Sequence, residues 1–158
     1  MPRERIADTE KPIREFYARV VTLARFWNCR AAADLFAETT TPDWTITDHS
    51  GKSIPRAKQL RLIRNPKRPD PVAQEQYAWT VKKIAFRGDT ATVDSVAQMS
   101  WDDYDYSGTN IKNGPRHHHI CRTPVRDLWV KTAGVWKIRR TRGFAPVQTV
   151  DGKPEKTY

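Results

Sequence analysis

One change of hydrophobic period organises this chain. Before about residue 65 the apolar residues recur mostly at three- and four-residue steps; from residue 75 onward they alternate. Ile13, Phe16, Tyr17, Val20, Ala24 and Trp27 share one face of a first helix, with Thr9 as its expected cap and Pro12 in its first turn. Ala31, Ala32, Leu35 and Phe36 mark a short second helix over residues 30–37, which the Thr39–Pro42 run ends. Residues 44–47 read as a strand, Asp48-His49-Ser50-Gly51 as its turn, and Ser53 with Pro55 opens a third helix carrying Leu60, Leu62 and Ile63. The three prolines of residues 65–71 stop that helix.

Four strands then follow. Tyr77, Trp79 and Val81 alternate with polar residues, and Ile84 and Phe86 resume on the other parity, which predicts a bulge at Lys82-Lys83. Ala91, Val93, Ala97, Met99 and Trp101 form one face of the second strand, and a polar hairpin tip spans about 103–115. The third strand runs from about His117 to Lys131, and Thr132-Ala133-Gly134 turns into a last strand, Val135–Arg142. An α-α-β-α-β-β-β-β order predicts an α+β fold, helices grouped against one face of a curved antiparallel sheet.

The remaining bounds come from composition. At 158 residues the chain is expected to form one domain, with its core at about 11–145 and loose ends at 1–8 and 147–158. Two cysteines, Cys29 and Cys121, make no disulfide framework. The N-terminal MPRERIADTEKP carries no apolar stretch of the signal-peptide kind, and no run nears the ~20 apolar residues of a membrane span, so the expected setting is the cytoplasm. No glycine-rich phosphate loop, nucleophile elbow or Cys-x-x-Cys pair occurs, so nucleotide hydrolysis, esterase and redox-motif readings have no support in the sequence.

The segment from Val125 to Ile138, with Asp127, Trp129-Val130-Lys131, Gly134 and Trp136, resembles the closing hairpin of SnoaL-like, nuclear-transport-factor-2-like proteins. Trp27-Asn28 followed by Ala33-Asp34-Leu35-Phe36, and Thr45-Ile46-Thr47-Asp48 leading through a glycine to a helix, resemble the family's earlier elements. The resemblance spans about residues 11–145. It implies a cystatin-like cone in which the sheet wraps the long N-terminal helix, an apolar pocket at the open end, and homodimerisation through the outer sheet face. Members include ketosteroid isomerase, scytalone dehydratase, limonene epoxide hydrolase and polyketide cyclases beside non-catalytic ones, so the fold leaves the function open.

Against that family, Asp48 stands where the isomerase carries its proton-abstracting aspartate; otherwise it holds the turn before Gly51. Counting back from Gly134 places Arg126 at the position of the isomerase's protonated aspartate, with Asp127 on the opposite strand face. The helix tyrosine of that isomerase falls on Thr22, with Tyr17 more than a turn away, and the last strand lacks the acid that epoxide hydrolases need. His117-His118-His119 face Asp102, Asp103 and Asp105 across the predicted hairpin; consecutive histidines argue against a metal site, and His119 is the candidate acid or base. Tyr17, Trp27, Trp44, Trp79, Met99, Trp101 and Leu128 are the expected pocket lining, while Trp129 and Trp136 pack on each other or across a dimer.

The leading expectation is a small-molecule domain doing cofactor-free proton transfer of isomerase, dehydratase or cyclase type on an apolar or anionic ligand, with Asp48, Arg126 and His119 as its machinery. The alternative is a non-catalytic binding or dimerisation module on the same cone. A third reading takes the excess of 28 basic over 18 acidic residues as a surface for RNA or another polyanion, although no nucleic-acid motif accompanies it.

Overall fold

The computed structural model describes residues 3–25, 28–66, 73–104 and 116–154. Its first half contains α1 (Arg3–Arg25), α2 (Cys29–Thr39), β1 (Thr40–Thr47), β2 (Ser53–Pro55) and α3 (Arg56–Arg64). The second half is β3 (Ala73–Arg87), β4 (Thr90–Tyr104), β5 (Arg116–Thr132), β6 (Val135–Gly143), β7 (Val147–Val150) and β8 (Lys153–Pro154).

Both expected loose ends carry structure. α1 begins at Arg3 and keeps Pro12 in its interior, because the Arg, Glu and Ala residues that precede the proline are good helix formers. At the other end β7 pairs with β5 between His119 and Arg122, using β-branched Val147, Thr149 and Val150. The second helix starts at Cys29, where the Asn28 side chain accepts a hydrogen bond from the Ala31 amide at 3.2 Å. It ends when Thr40 turns extended, so the Thr39–Pro42 run closes the helix as expected, and β1 opens at Thr40, ahead of the strand expected at 44–47.

The sheet order is β2-β1-β6-β5-β4-β3, with β7 attached to β5 and β8 to β7. β3 to β6 are antiparallel as expected; β1 joins β6 in parallel, which alternation alone does not reveal. The expected bulge in β3 lies between Val81 and Lys83. A second one occurs in β6: Trp129 faces Ile138 while Leu128 faces Arg140, so Arg139 is the extra residue. The β5–β6 turn uses Ala133 and Gly134 at φ of 50° and 79°, the left-handed pair that a two-residue hairpin requires.

α1 packs Ile13, Phe16 and Tyr17 onto the inner sheet face, against Val93, Trp129 and Ile138, all buried. Phe16 is the hub of an aromatic cluster, edge-on to Tyr17, Phe36 and Trp129 at 5.2, 5.1 and 5.4 Å. Such pairs contribute about 0.5–1.5 kcal/mol each beyond area burial. Trp136 packs on Phe86 instead of Trp129, with centroids 5.6 Å apart. Among the described residues no helix is long and apolar enough to cross a membrane.

Candidate functional site

Alternation along β5 sends Asp127 and Trp129 inward and Arg126 and Leu128 outward. Asp127 is 2% exposed and has no cation beside it among its hydrogen-bond partners. Tyr17 Oη donates to its Oδ2 at 2.7 Å and Thr141 Oγ1 to its Oδ1 at 2.5 Å. Trp129 Nε1 donates to Tyr17 Oη at 3.0 Å, and Trp44 Nε1 to Thr141 Oγ1 at 3.0 Å. An indole N–H only donates, so each hydroxyl takes the indole proton on its oxygen and passes its own to the carboxylate. Four donors from α1, β1, β5 and β6 thus converge, directly or in relay, on one carboxyl group.

Burial raises the Asp127 pKa to about 6, although the Thr141 and Tyr17 hydrogen bonds pull it down. Burial, then the adjacent Asp127 charge, pushes the Tyr17 phenol far above its ordinary value, so it serves as a fixed donor.

Above this network the cone opens. Tyr17 meets Trp79 edge-on at 5.1 Å, and Trp79 lines a cavity of about 290 Å³ between α1 and strands β3, β4 and β5. Its Nε1 donates to Ser95 Oγ at 2.8 Å, which fixes the indole as the cavity floor. Val20, Ala24, Ala97 and Met99 make the walls apolar, and Tyr77 and Cys121 are the titratable side chains of the lining. A second apolar hollow of about 210 Å³, reaching Cys29, Phe36 and Ile63, shares Val20, Ala24 and Tyr77 with it. A wider polar hollow of about 460 Å³, lined by Arg25, Gln76 and Ser100 among others, shares Tyr77, Ala78 and Gln98 with the cavity. All three meet at Tyr77.

The residues expected from the sequence are distributed differently. Asp48 accepts from the Ser50 amide at 2.9 Å, the Ser50 hydroxyl at 2.6 Å and the Lys52 amide at 2.9 Å. Those bonds, Ser50's hydroxyl first, hold its pKa below the usual carboxylate value, the reverse of a poised base. Arg126 is exposed on the outer face, where Nε and Nη2 grip Asp94 at 2.7 and 3.2 Å, and Leu128 shares that parity. His119 stacks on its cross-strand partner Trp101, 5.1 Å away with planes 3° apart, and neither is among the cavity-lining residues. Trp79 and Met99 do line the cavity. Tyr17 and Trp44 belong to the buried network below it, Trp44 also stacking on Phe36 at 5.8 Å. Trp27 and Asp105 lie outside the described residues, as does hairpin segment 105–115.

The other two histidines of the row pair with acids: His118 Nδ1 with Asp102 at 2.5 Å, and His117 Nδ1 with Asp151 at 2.7 Å. No group of three or more His, Cys, Asp or Glu residues among the described ones is placed to hold a metal. Counting back from Gly134 missed Asp127 by one residue. The signal was in β5 itself, because a buried Trp129 puts the residue two before it on the same face. Thr22, the position the resemblance offered for a helix tyrosine, is exposed and donates to Ala18 O at 3.1 Å.

Residues 5–142 match the family model of the SnoaL-like domain. This chain belongs to that family. No curated protein matches the sequence. Among solved structures, the SnoaL-like chain is similar to a conserved protein from Planctomyces limnophilus, at 12% identity and TM-score 0.63 over 89% of this chain and 99% of that one. It is also similar to a nuclear-transport-factor-2-like protein from Cytophaga hutchinsonii, 14% identical, TM-score 0.52, covering 92% and 98%. The CaMKII hub of S. rosetta, 16% identical, aligns at TM-score 0.59 over 84% and 93%. At such identities these structures share the α+β cone alone.

Proposed function

We propose that this SnoaL-like domain binds a small organic molecule with an apolar body and one anionic group. The observation that carries this reading is that the apolar cavity and the polar hollow that holds Arg25 share Tyr77, Ala78 and Gln98 in their linings. The apolar walls would take the body and the guanidinium the anion, a division of labour common to ligand sites. Binding without catalysis fits the lining, which includes neither Asp48, Arg126 nor His119.

Native mass spectrometry of the freshly purified protein should show a discrete organic mass on the folded chain, and reports its oligomeric state in the same spectrum. Calorimetry with decanoate and decanol then tests the division directly. Ala97→Phe, which fills the cavity, should abolish binding of both. Arg25→Gln should weaken decanoate about fivefold, the scale of an exposed charge pair, and leave decanol unchanged. Decanoate binding that survives Ala97→Phe would sink the proposal.

A second reading, cofactor-free proton transfer, draws on one observation: a buried carboxyl with a pKa of about 6 sits two contacts below the cavity, behind Trp79. In that reading Asp127 transfers the proton and Tyr17 is the fixed hydrogen-bond donor beside it, and a substrate reaches them only by displacing the Trp79 indole. Turnover that is lost in Asp127→Asn while ligand binding persists would favour it; a bound ligand that never turns over would remove it.

A further inference from the structure

The outer sheet face carries an array of charge that the cavity does not use. Cross-strand register aligns Lys83, Asp94, Arg126, Arg142 and Thr47 in one row over five strands. The next row brings Arg140 beside Leu128 and Thr45, and Arg122 lies on the same β5 parity as Arg126, donating to Gln98 at 2.9 Å. These five cations are exposed or nearly so. Among the described residues the neighbouring acids are Asp94, held by Arg126, and Asp43, 3.8 Å from Arg139. Arg126 and Arg142 stand directly opposite each other, with Asp94 on the far side of Arg126. Beside them the Arg142 guanidinium lies 5.3 Å over the ring of Phe144, an aromatic side chain left 37% exposed.

We propose that this outer face of β4, β5 and β6 binds single-stranded nucleic acid. Arginine forks match phosphate oxygens in pairs, and a strand spacing of about 4.8 Å with about 6.8 Å between alternate residues sets the cations in a lattice along which a backbone can run. An exposed ring capped by a guanidinium is a platform on which an unpaired base stacks. A polyanion complements the net positive charge of this face.

The test is fluorescence anisotropy with a labelled 15-nucleotide oligouridylate. Four neutralised phosphates predict a loss of affinity of about 50-fold between 50 and 200 mM salt. The pair Arg140→Gln and Arg142→Gln should lower the slope of log affinity against log salt by about 1.4, at an unchanged melting temperature. Phe144→Ala should weaken binding about tenfold without altering that slope, the signature of lost stacking. The reversed-charge pair Arg140→Glu and Arg142→Glu, checked by the same melting curve, should abolish binding. No binding at 50 mM salt, binding indifferent to salt, or equal affinity for polyglutamate overturns the proposal, the last in favour of an acidic protein partner. Decanoate bound normally by the arginine variants keeps this test separate from that of the cavity.

Discussion

Arg126 and Asp127 are neighbours in the chain and opposites in fate. The arginine reaches into water and grips Asp94, while the aspartate is sealed under α1 with neutral donors only. The outer face gathers charge because solvent screens it and neighbouring side chains share it. A charge on the inner face must be surrounded with aligned dipoles, since an ion in low dielectric is tolerated only when its lone pairs are met. A charge one residue along a strand is thus a different physical object.

The most severe way to break the contrast is Asp127→Ala. At pH 5 it strands the Tyr17 and Thr141 hydroxyls without an acceptor, for an expected loss of about 2–6 kcal/mol by chemical denaturation. The pH dependence sharpens it. Because the folded pKa of Asp127, about 6, lies above the ordinary 3.8, the folded state holds its proton more tightly. Stability is then full below about pH 4 and falls by about 3 kcal/mol as pH rises through 6. Denaturation series from pH 4 to 8 should show that decline in the wild type and lose it in Asp127→Ala. Thr141→Val removes one donor and leaves the Trp44 indole N–H unmet, an effect of about 1–3 kcal/mol, and it raises the Asp127 pKa further in a carboxyl NMR titration. The smallest change is Arg126→Ala on the outer face. At 0.5 M salt its melting temperature should match the wild type, while the Asp94 pKa, held down chiefly by the Arg126 hydrogen bond, rises back toward its ordinary value.

The sequence carried the fold through its periods. Ile13, Phe16 and Tyr17 on one helical face, the bulge at Lys82-Lys83 and the Ala133-Gly134 turn are local patterns, and the structure places each as expected. What local pattern does not encode is pairing between distant segments. The parallel contact of Thr45–Thr47 with Arg140–Arg142 and the return of Val147–Val150 onto β5 are of that kind. The site was half legible for the same reason: Trp79 and Met99 follow from alternation, whereas Asp48 and Arg126 rest on another protein's positions, the first by its place between strand and helix and the second by counting from Gly134. Asp127 required the inward direction of Trp129, and Thr141 required the bulge in β6.

That bulge also sets a choice during folding. A β5–β6 hairpin zipped with regular pairing from its turn would bring Arg140, not Thr141, opposite Asp127. The slipped hairpin would offer Asp127 a cation before α1 arrives with Tyr17, and its ion pair would be strongest in dilute buffer. Refolding should therefore pass through a trap whose lifetime shortens as salt is added, with Arg139, the residue the slip must accommodate, as its pivot. Arg140→Gln would weaken that trap while leaving every inward-facing contact of the finished structure in place.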